Sequence, residues 1–385
     1  MQSYKRHLRF YRGARKILGP LIKWIFHLET LPAPEIAGPF ITVSNHVTDL
    51  DPLFMGLSFP AHMYFVASEH IFRSPFIGGL LKYFLDPISK QKGGADVSTA
   101  MQMLRRIKKG MNVGLFAEGN KSFHGGPCPI VPATGSLVKA SGASLCTYRL
   151  EGGYFTSPRW SHTLRRGRMK GYPVNVYPPE ILSNMTGEEI NELIARDIGE
   201  DAYLRQEDNP VSYKGKRLAE GLQNALYLCP KCLGRGTLIG EGDFIRCGCG
   251  FESRLLDTGY FESGPFKTVA AWGDWQKEKL RRIIGILGEE TVFSDEDQEI
   301  LMILPGHKVR SMTFGKMTIG RRGLACGELR WSFQNILGLD VYGKNNIVFS
   351  DTAGGHYQVR SKSERSGLKY QDAWEILREE DQRRK

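Results

Sequence analysis

The sequence lacks any uncharged apolar run of the roughly 18 residues that a membrane-spanning helix needs. The best candidate away from the N-terminus, residues 76–85, is short and contains Lys82. The N-terminus also lacks the uninterrupted apolar core and the small-residue cleavage site of a signal peptide. We therefore expect a cytoplasmic protein that does not cross a membrane.

Cysteine is scarce, with only seven residues in 385. An odd number without an export signal favours free thiols and metal ligands over disulfides. Four of them form two close pairs, Cys229 with Cys232 and Cys247 with Cys249, separated by fourteen residues. This spacing predicts a zinc ribbon with a structural Zn²⁺ bound by four thiolates, and a segment that folds only with metal. Redox chemistry and disulfides are the alternatives.

Internal repeats and low-complexity tracts are also absent, and the chain is longer than one typical domain, so two or three domains are expected. The predicted divisions are a basic segment at 1–30, an α/β domain at 31–205, a linker with a helix (217–228) at 206–228, the zinc ribbon at 229–251, a connector at 252–289 and a β-rich domain at 290–385. The last region has short alternating segments followed by a helix, a pattern similar to that of pleckstrin-homology-like or GRAM-like modules.

Positive charge is concentrated at the N-terminus. The formal net charge is +11, and residues 1–30 contain seven Lys and Arg against Glu29 alone, a net charge of +6. Bulky apolar residues such as Leu21 and Trp24 alternate with these cations. The pattern predicts an amphipathic segment that lies on an anionic membrane surface. A nucleic-acid-binding arm is the competing interpretation, but phosphate binding needs no bulky aliphatic residues, so we expect lipid and not nucleic acid as the partner.

Strand-like and helix-like runs alternate from residue 39 onward, which predicts an α/β fold with a largely parallel sheet. The predicted strands are 40–43, 63–67, 113–116, 145–148 and 174–177. The predicted helices are 97–109, 134–140 and 186–196. Active sites in such folds lie beyond the carboxyl ends of the strands.

The first predicted strand ends in a polar stretch that contains His46, Asp49 and Asp51. Asp51 followed by Pro52 is typical of a helix start, and the residue before a proline avoids the α region, so residues 46–51 form a turn. A turn can bring His46 to Asp51, where the carboxylate would orient the imidazole as a general base. Asp49 is an alternative partner. In the other interpretation, Asp51 only caps the helix and His46 packs locally.

A second stretch follows the strand at 111–116, and the two stretches together resemble the lysophospholipid acyltransferase family (1-acylglycerol-3-phosphate O-acyltransferase, PlsC-type). The family's first block, Asn-His-x4-Asp, is matched here by Asn45, His46 and Asp51. Its third block, Phe-Pro-Glu-Gly-Thr-Arg-Ser, is matched here by Phe116, Glu118, Gly119 and Ser122.

The resemblance implies acyl transfer from acyl carrier protein or coenzyme A thioesters to the hydroxyl of a lysophospholipid, without a catalytic cofactor. The implied acceptor is 1-acylglycerol 3-phosphate, which would give phosphatidate. Alternatives are another lysolipid or a glycolipid as acceptor, or a non-catalytic zinc-ribbon scaffold. The sequence does not predict an oligomeric state.

The resemblance also implies a phosphate-binding site at Glu118, Gly119, Asn120, Lys121 and Ser122, together with Lys90 from the family's second block. Lysine replaces the family's arginine at both basic positions, so recognition of the phosphate would be looser. Glu118 has the alternative role of accepting hydrogen bonds from nearby amides at the strand end.

Cys128 and Cys146 could also suggest an acyl-cysteine intermediate. Free cysteines are often buried simply as packing residues, and we favour that interpretation here.

Overall fold

The structure is a computed structural model of the chain, and it describes residues 2–68, 75–90, 97–288, 290–304, 306, 308–362 and 365–383. The described residues divide into two compact units. The first lies within residues 2–90, 97–159 and 164–214, and the second within 160–163 and 215–383.

The first unit is built on one sheet of seven strands. These are β1 (Leu28–Thr30), β2 (Phe40–Ser44), β3 (Met63–Ser68), β4 (Ile88–Lys90), β5 (Asn112–Phe116), β6 (Ser144–Glu151) and β7 (Met169–Tyr177). Their order is β1-β7-β6-β2-β5-β3-β4, and every neighbouring pair is parallel except β6 with β7. The predicted α/β fold with a largely parallel sheet is confirmed.

Helices cover both faces of this sheet. They are α1 (Gln2–Phe26), α2 (Asp51–Gly56), α3 (Pro75–Phe84), α4 (Val97–Lys108), α5 (Ala133–Ser141), α6 (Gly153–Thr156), α7 (Pro179–Ser183), α8 (Gly187–Ile198) and α9 (Ala202–Asp208). One apolar cluster includes Ile41, Val113 and Ile190, and a second includes Phe26, Phe54 and Tyr148. Because helices cover both faces, the residues of β2 and β5 are buried at nearly every position.

The basic N-terminal segment folds as α1, and polar side chains on one of its faces hold it to the first unit. The Tyr11 hydroxyl donates to the Phe59 carbonyl at 2.6 Å, and Arg15 Nη2 donates to the Leu57 carbonyl at 3.0 Å. His7 Nδ1 lies 3.0 Å from the Tyr64 hydroxyl. Among the described residues, no helix combines the length and the apolar composition that crossing a bilayer requires.

In its described residues, the second unit contains two sheets and two helices of more than one turn. A three-stranded antiparallel sheet is formed by β8 (Leu238–Glu241), β9 (Phe244–Cys247) and β10 (Phe251–Arg254), and α10 (Val269–Leu287) follows it. The C-terminal sheet contains β11 (Thr291–Leu304), β12 (Lys308–Gly320), β13 (Gly323–Cys326), β14 (Leu329–Trp331), β15 (Ile336–Tyr342), β16 (Asn346–Asp351) and β17 (His356–Ser361). Helix α11 (Leu368–Arg383) follows.

The C-terminal sheet is antiparallel throughout, in the order β14-β13-β12-β11-β17-β16-β15. The expectation of a β-rich region that ends in a helix is confirmed. The first two strands are longer than the short segments that the pattern indicated, since β11 has 14 residues and β12 has 13.

The helix predicted at 217–228 is wrong. Only a 3-10 turn at Leu222–Asn224 forms there, and Gly221 adopts a left-handed backbone with φ of 86°. A Cβ at Gly221 would lie 2.2 Å from the Trp160 carbonyl oxygen, so the site requires glycine. The Gln276 side chain replaces helical hydrogen bonds, since it accepts from the Tyr227 amide and donates to the Ala225 carbonyl.

Candidate active site

The turn between β2 and α2 brings His46 next to Asp51, as the sequence of this turn predicts. His46 Nδ1 lies 2.7 Å from Asp51 Oδ2. The Asp51 side chain is fully buried, whereas 23% of the His46 side chain is exposed. Because the carboxylate can only accept, Nδ1 carries the proton and Nε2 is left with a lone pair. The pair therefore has the geometry of an oriented general base.

Asp51 also holds the turn itself. Its carboxylate accepts from the Val47 amide at 2.7 Å, from the Thr48 amide at 2.9 Å and from the Thr48 hydroxyl at 2.7 Å. Asp49 instead accepts from Lys121 Nζ at 2.6 Å. The structure thus pairs His46 with Asp51 and leaves Asp49 to Lys121.

Asn45 fixes the start of the turn to the neighbouring strand. Its side-chain amide donates to the Leu150 carbonyl and accepts from the Leu150 amide, both at 2.8 Å. The His46 ring also stacks on Phe116, with 4.6 Å between ring centroids. The imidazole is therefore held by its ring face, by Asp51 and by the backbone on its N-terminal side.

Glu118 lies just beyond the end of β5 and binds two backbone amides. Its carboxylate accepts from the His46 amide at 2.7 Å and from the Cys128 amide at 3.0 Å. Burial raises the pKa of Glu118 to about 7. The hydrogen bonds from the two amides lower this pKa, and the nearby Asp51 charge raises it. This geometry corresponds to the alternative that the sequence left open, a strand-end carboxylate that binds amides.

A small pocket opens beside His46 at the carboxyl ends of β2, β5 and β6. Asn45, His46, Val47, Glu118, Ser122, Gly125, Gly126, Tyr154 and Glu200 line it. The elements of the two sequence blocks therefore meet in one pocket, at the edge of the sheet where α/β folds place their sites.

Comparison with known proteins gives the family of the segment that contains both sequence blocks. Residues 24–150 match the family model described as Acyltransferase. Residues 24–150 form an acyltransferase domain. The matched segment includes His46, Asp51 and Glu118.

A solved structure also resembles the chain. It is the 1-acyl-sn-glycerophosphate (LPA) acyltransferase, PlsC, from Thermotoga maritima, with a TM-score of 0.42 and 18% sequence identity. The similarity covers 49% of this chain and 76% of that chain. No curated protein matches the sequence.

The phosphate-site residues predicted in the acyltransferase domain lie in different places. The Ser122 hydroxyl lines the pocket and accepts from the Gly125 amide at 2.9 Å. Gly119, with a left-handed φ of 68°, and Asn120 connect Glu118 to Lys121, whose ammonium is bound to Asp49. Lys90 ends β4, three strands from β2 and thus about 14 Å away at roughly 4.8 Å per strand. Neither lysine lines the pocket among the residues described.

Glu200 is a pocket residue of the first unit that the sequence did not indicate. It precedes α9, and Arg205 Nε donates to its carboxylate at 2.8 Å. Burial raises the pKa of Glu200, although Arg205 opposes that shift. A lone glutamate beside a helix N-cap has no distinctive pattern, so the sequence offered no signal for it.

The two cysteines of the first unit, Cys128 and Cys146, do not have the properties of nucleophiles. Burial raises the pKa of Cys128 to about 12, and the nearby Glu118 charge acts in the same direction. Burial likewise raises the pKa of Cys146 to about 12. Both thiols therefore stay protonated at neutral pH, and this supports packing over an acyl-cysteine intermediate.

Outside the acyltransferase domain, the four predicted metal ligands come together. The Sγ atoms of Cys229, Cys232, Cys247 and Cys249 all lie within 4.8 Å of one another. Two of the separations are 3.7 Å and 3.8 Å. A tetrahedral Zn²⁺ with Zn–S bonds of about 2.3 Å has S–S edges of about 3.8 Å. The donor set and its spacing fit a four-thiolate metal site.

Glu118 gives the acyltransferase unit a testable pH dependence. Its pKa rises from 4.5 to about 7 on folding, so in that window the folded protein binds this proton more tightly than the unfolded chain does. The contribution of Glu118 to stability therefore falls by about 3 kcal/mol as the pH rises through the window.

We expect Glu118→Gln to remove this slope. The free energy of unfolding of both proteins, from urea titrations at the two ends of the window, measures it. Equal pH slopes in the two proteins would mean that Glu118 does not hold its proton in this way.

Proposed function

We propose that the acyltransferase domain transfers an acyl group from a thioester to the hydroxyl of a lysophospholipid. The observation that carries this proposal is the His46–Asp51 pair, with its free Nε2 in a pocket at the carboxyl ends of the strands. A hydroxyl is a poor nucleophile at neutral pH, so a base at this position provides what the reaction needs.

In the proposed reaction, His46 Nε2 accepts the acceptor's hydroxyl proton as the oxygen attacks the thioester carbonyl. Asp51 holds the Nδ1 proton and stabilises the imidazolium that forms. The tetrahedral intermediate then expels the thiolate, which takes the proton from the imidazolium. The ester and the free thiol are the products, and neither a protein nucleophile nor a catalytic cofactor takes part.

The acyl donor would be an acyl carrier protein or coenzyme A thioester, and the acceptor predicted from the sequence is 1-acylglycerol 3-phosphate. A second candidate is another lysolipid or a glycolipid. The ion pair between Lys121 and Asp49 favours this second candidate, because it occupies one of the two lysines predicted to bind phosphate.

Acyl transfer by the purified full-length protein tests the proposal. Acyl-coenzyme A and acyl carrier protein would be offered with a panel of lysolipids, and mass spectrometry would identify the esters. We expect an ester product with at least one lysolipid. If folded protein with its metal bound forms no ester with any of them, the non-catalytic scaffold becomes the better account.

We infer that the four-cysteine cluster binds a structural Zn²⁺. Four thiolates are a ligand set that zinc prefers, and they leave no open position for a substrate. The segment would then depend on the metal for its fold.

We also propose that α1 attaches the protein to the cytoplasmic face of a membrane. The docked face of α1 includes Tyr11, Arg15 and the buried Phe26, whereas Leu21, Trp24 and Ile25 near its C-terminal end are 50%, 63% and 42% exposed. Exposed cations along the same helix, Arg9 and Arg12 among them, suit the anionic lipids of the cytoplasmic leaflet.

Replacing Leu21 and Trp24 with glutamate is expected to weaken binding to anionic vesicles by at least about tenfold. The apolar area that would enter the lipid is lost, and each new carboxylate is repelled by the surface. Vesicle sedimentation measures this. Ile286→Glu, at a side chain 86% exposed on α10, is the control and should bind normally. Equal binding by all three proteins would exclude α1 as the anchor.

A further inference from the structure

The pocket beside His46 contains a second buried carboxyl group besides Glu118. The Glu200 side chain is 8% exposed and lines the same pocket as His46 and Ser122. Glu118 accepts from the His46 and Cys128 amides, so its contacts hold the backbone of the His46 turn in place. Glu200 binds neither the His46 nor the Asp51 backbone, and it is the candidate carboxyl group for contact with a substrate.

Hydrogen bonds fix the position of Glu200 in the pocket. The Ala202 amide donates to the Gly125 carbonyl at 2.9 Å, which fixes the segment before α9 to the turn that contains Ser122. The backbone amide of Gly152, at the end of β6, donates to the Glu200 carboxylate. Arg205 Nε donates to the same carboxylate at 2.8 Å. These contacts leave the side chain little freedom to leave the pocket wall.

The hydrogen-bonding groups around Glu200 define what this part of the pocket can bind. A carboxylate has about four lone-pair sites, and the hydrogen bonds from Arg205 and Gly152 use two of them. No lysine or arginine lines the pocket within the described parts of the chain. A group that enters beside Glu200 therefore meets a carboxylate with about two acceptor sites left, which suits a hydrogen-bond donor.

The ion pair with Arg205 further selects among donors. Because the guanidinium already balances the Glu200 charge, a neutral hydroxyl suits the site better than a second cation. A phosphate monoester dianion has no proton to donate to the Glu200 carboxylate, so it suits this point less well than a hydroxyl does.

We propose that Glu200 determines acceptor specificity by accepting a hydrogen bond from a second hydroxyl of the acceptor. The acceptor would then be a lysolipid with a polyol head group, such as glycerol or a sugar. This inference rests on the proposed acyl transfer and names the substrate class of the same site.

Steady-state kinetics with three acceptors test the inference. Lysophosphatidylglycerol supplies the polyol, lysophosphatidate the phosphate monoester, and lysophosphatidylethanolamine the ammonium. We expect the wild-type protein to have its lowest KM for the polyol acceptor. Glu200→Ala should raise that KM about ten- to hundredfold, the effect of losing one hydrogen bond to a charged group, with kcat changed less than about twofold. Glu207→Ala, at an exposed site on α9, is the matched control.

Two further variants keep the test valid if Glu200→Ala fails to fold because Arg205 is left unpaired. Glu200→Gln keeps an acceptor oxygen and should raise the KM less than Glu200→Ala does. The double variant Glu200→Ala with Arg205→Ala removes both charges and should raise it as much as Glu200→Ala. The inference is overturned if KM rises equally for all three acceptors, or if lysophosphatidate or the amine is the preferred acceptor.

Binding of the same three lysolipids without a donor, measured by calorimetry, separates this inference from the proposed reaction. Tighter binding of the polyol lysolipid that Glu200→Ala removes would support Glu200 as the specificity residue even in a protein that transfers nothing. Equal binding by wild-type and Glu200→Ala proteins would reject it, whatever the activity.

Discussion

Replacing His46 with alanine is expected to lower kcat for acyl transfer by about 10² to 10⁴-fold, the usual contribution of a general base. Its Nε2 has a lone pair that can take the acceptor proton, while Nδ1 is bound to Asp51 at 2.7 Å. The loss should fall on kcat more than on KM, because the base acts in the transition state.

The comparison needs a variant that loses an imidazole elsewhere. His356 lies on β17 and contacts the Ser350 hydroxyl at 2.7 Å, outside the acyltransferase domain. His356→Ala should therefore keep its activity, and both variants should match the wild type in circular dichroism and metal content. A His46→Ala protein with full activity would mean that another group accepts the proton.

Removing the metal is expected to unfold the four-cysteine segment. Structural zinc in small domains contributes about 10–16 kcal/mol to folding. Contacts within the second unit extend the effect, since Arg235 Nη1 donates to the Val292 carbonyl at 2.8 Å and Trp272 Nε1 donates to the Leu228 carbonyl at 3.0 Å. Calorimetry before and after chelation should show the loss of the second unit's folding transition.

Cysteine variants separate the metal site from a general thiol effect. Cys247→Ser removes one ligand of the cluster and should lower the zinc content below one per chain, measured by atomic absorption. Cys326→Ser replaces a buried thiol outside the cluster and should leave the zinc content unchanged. Wild-type protein that contains no zinc, or a folding transition that is insensitive to chelators, would contradict the assignment.

Structure could be predicted best from the sequence where several neighbouring signals agreed. The apolar run of β2, the proline after Asp51 and the spacing of His46 each indicate the same turn, and the structure forms it. The parallel sheet could be predicted because strands and helices alternate along the chain, and this alternation can be read directly from the sequence. These features needed no knowledge of which distant side chains meet.

Features that depend on distant contacts could not be predicted. Lys121 binds Asp49 from 72 residues away, and Glu200 reaches the pocket because α9 is fixed to the turn at Gly125. The helix wrongly expected at 217–228 had suitable apolar spacing. Its failure comes from Gly221, which lies against the Trp160 carbonyl in the folded second unit.

The central claim is that His46 activates the acceptor hydroxyl directly, with no acyl-enzyme intermediate. Rapid-quench measurement of thiol release from an acyl thioester, with and without a lysolipid acceptor, tests it most directly. We expect no thiol burst without acceptor, and one thiol released for each ester formed when the acceptor is present. A burst of one thiol per enzyme in the absence of acceptor would reveal a protein nucleophile and contradict the mechanism.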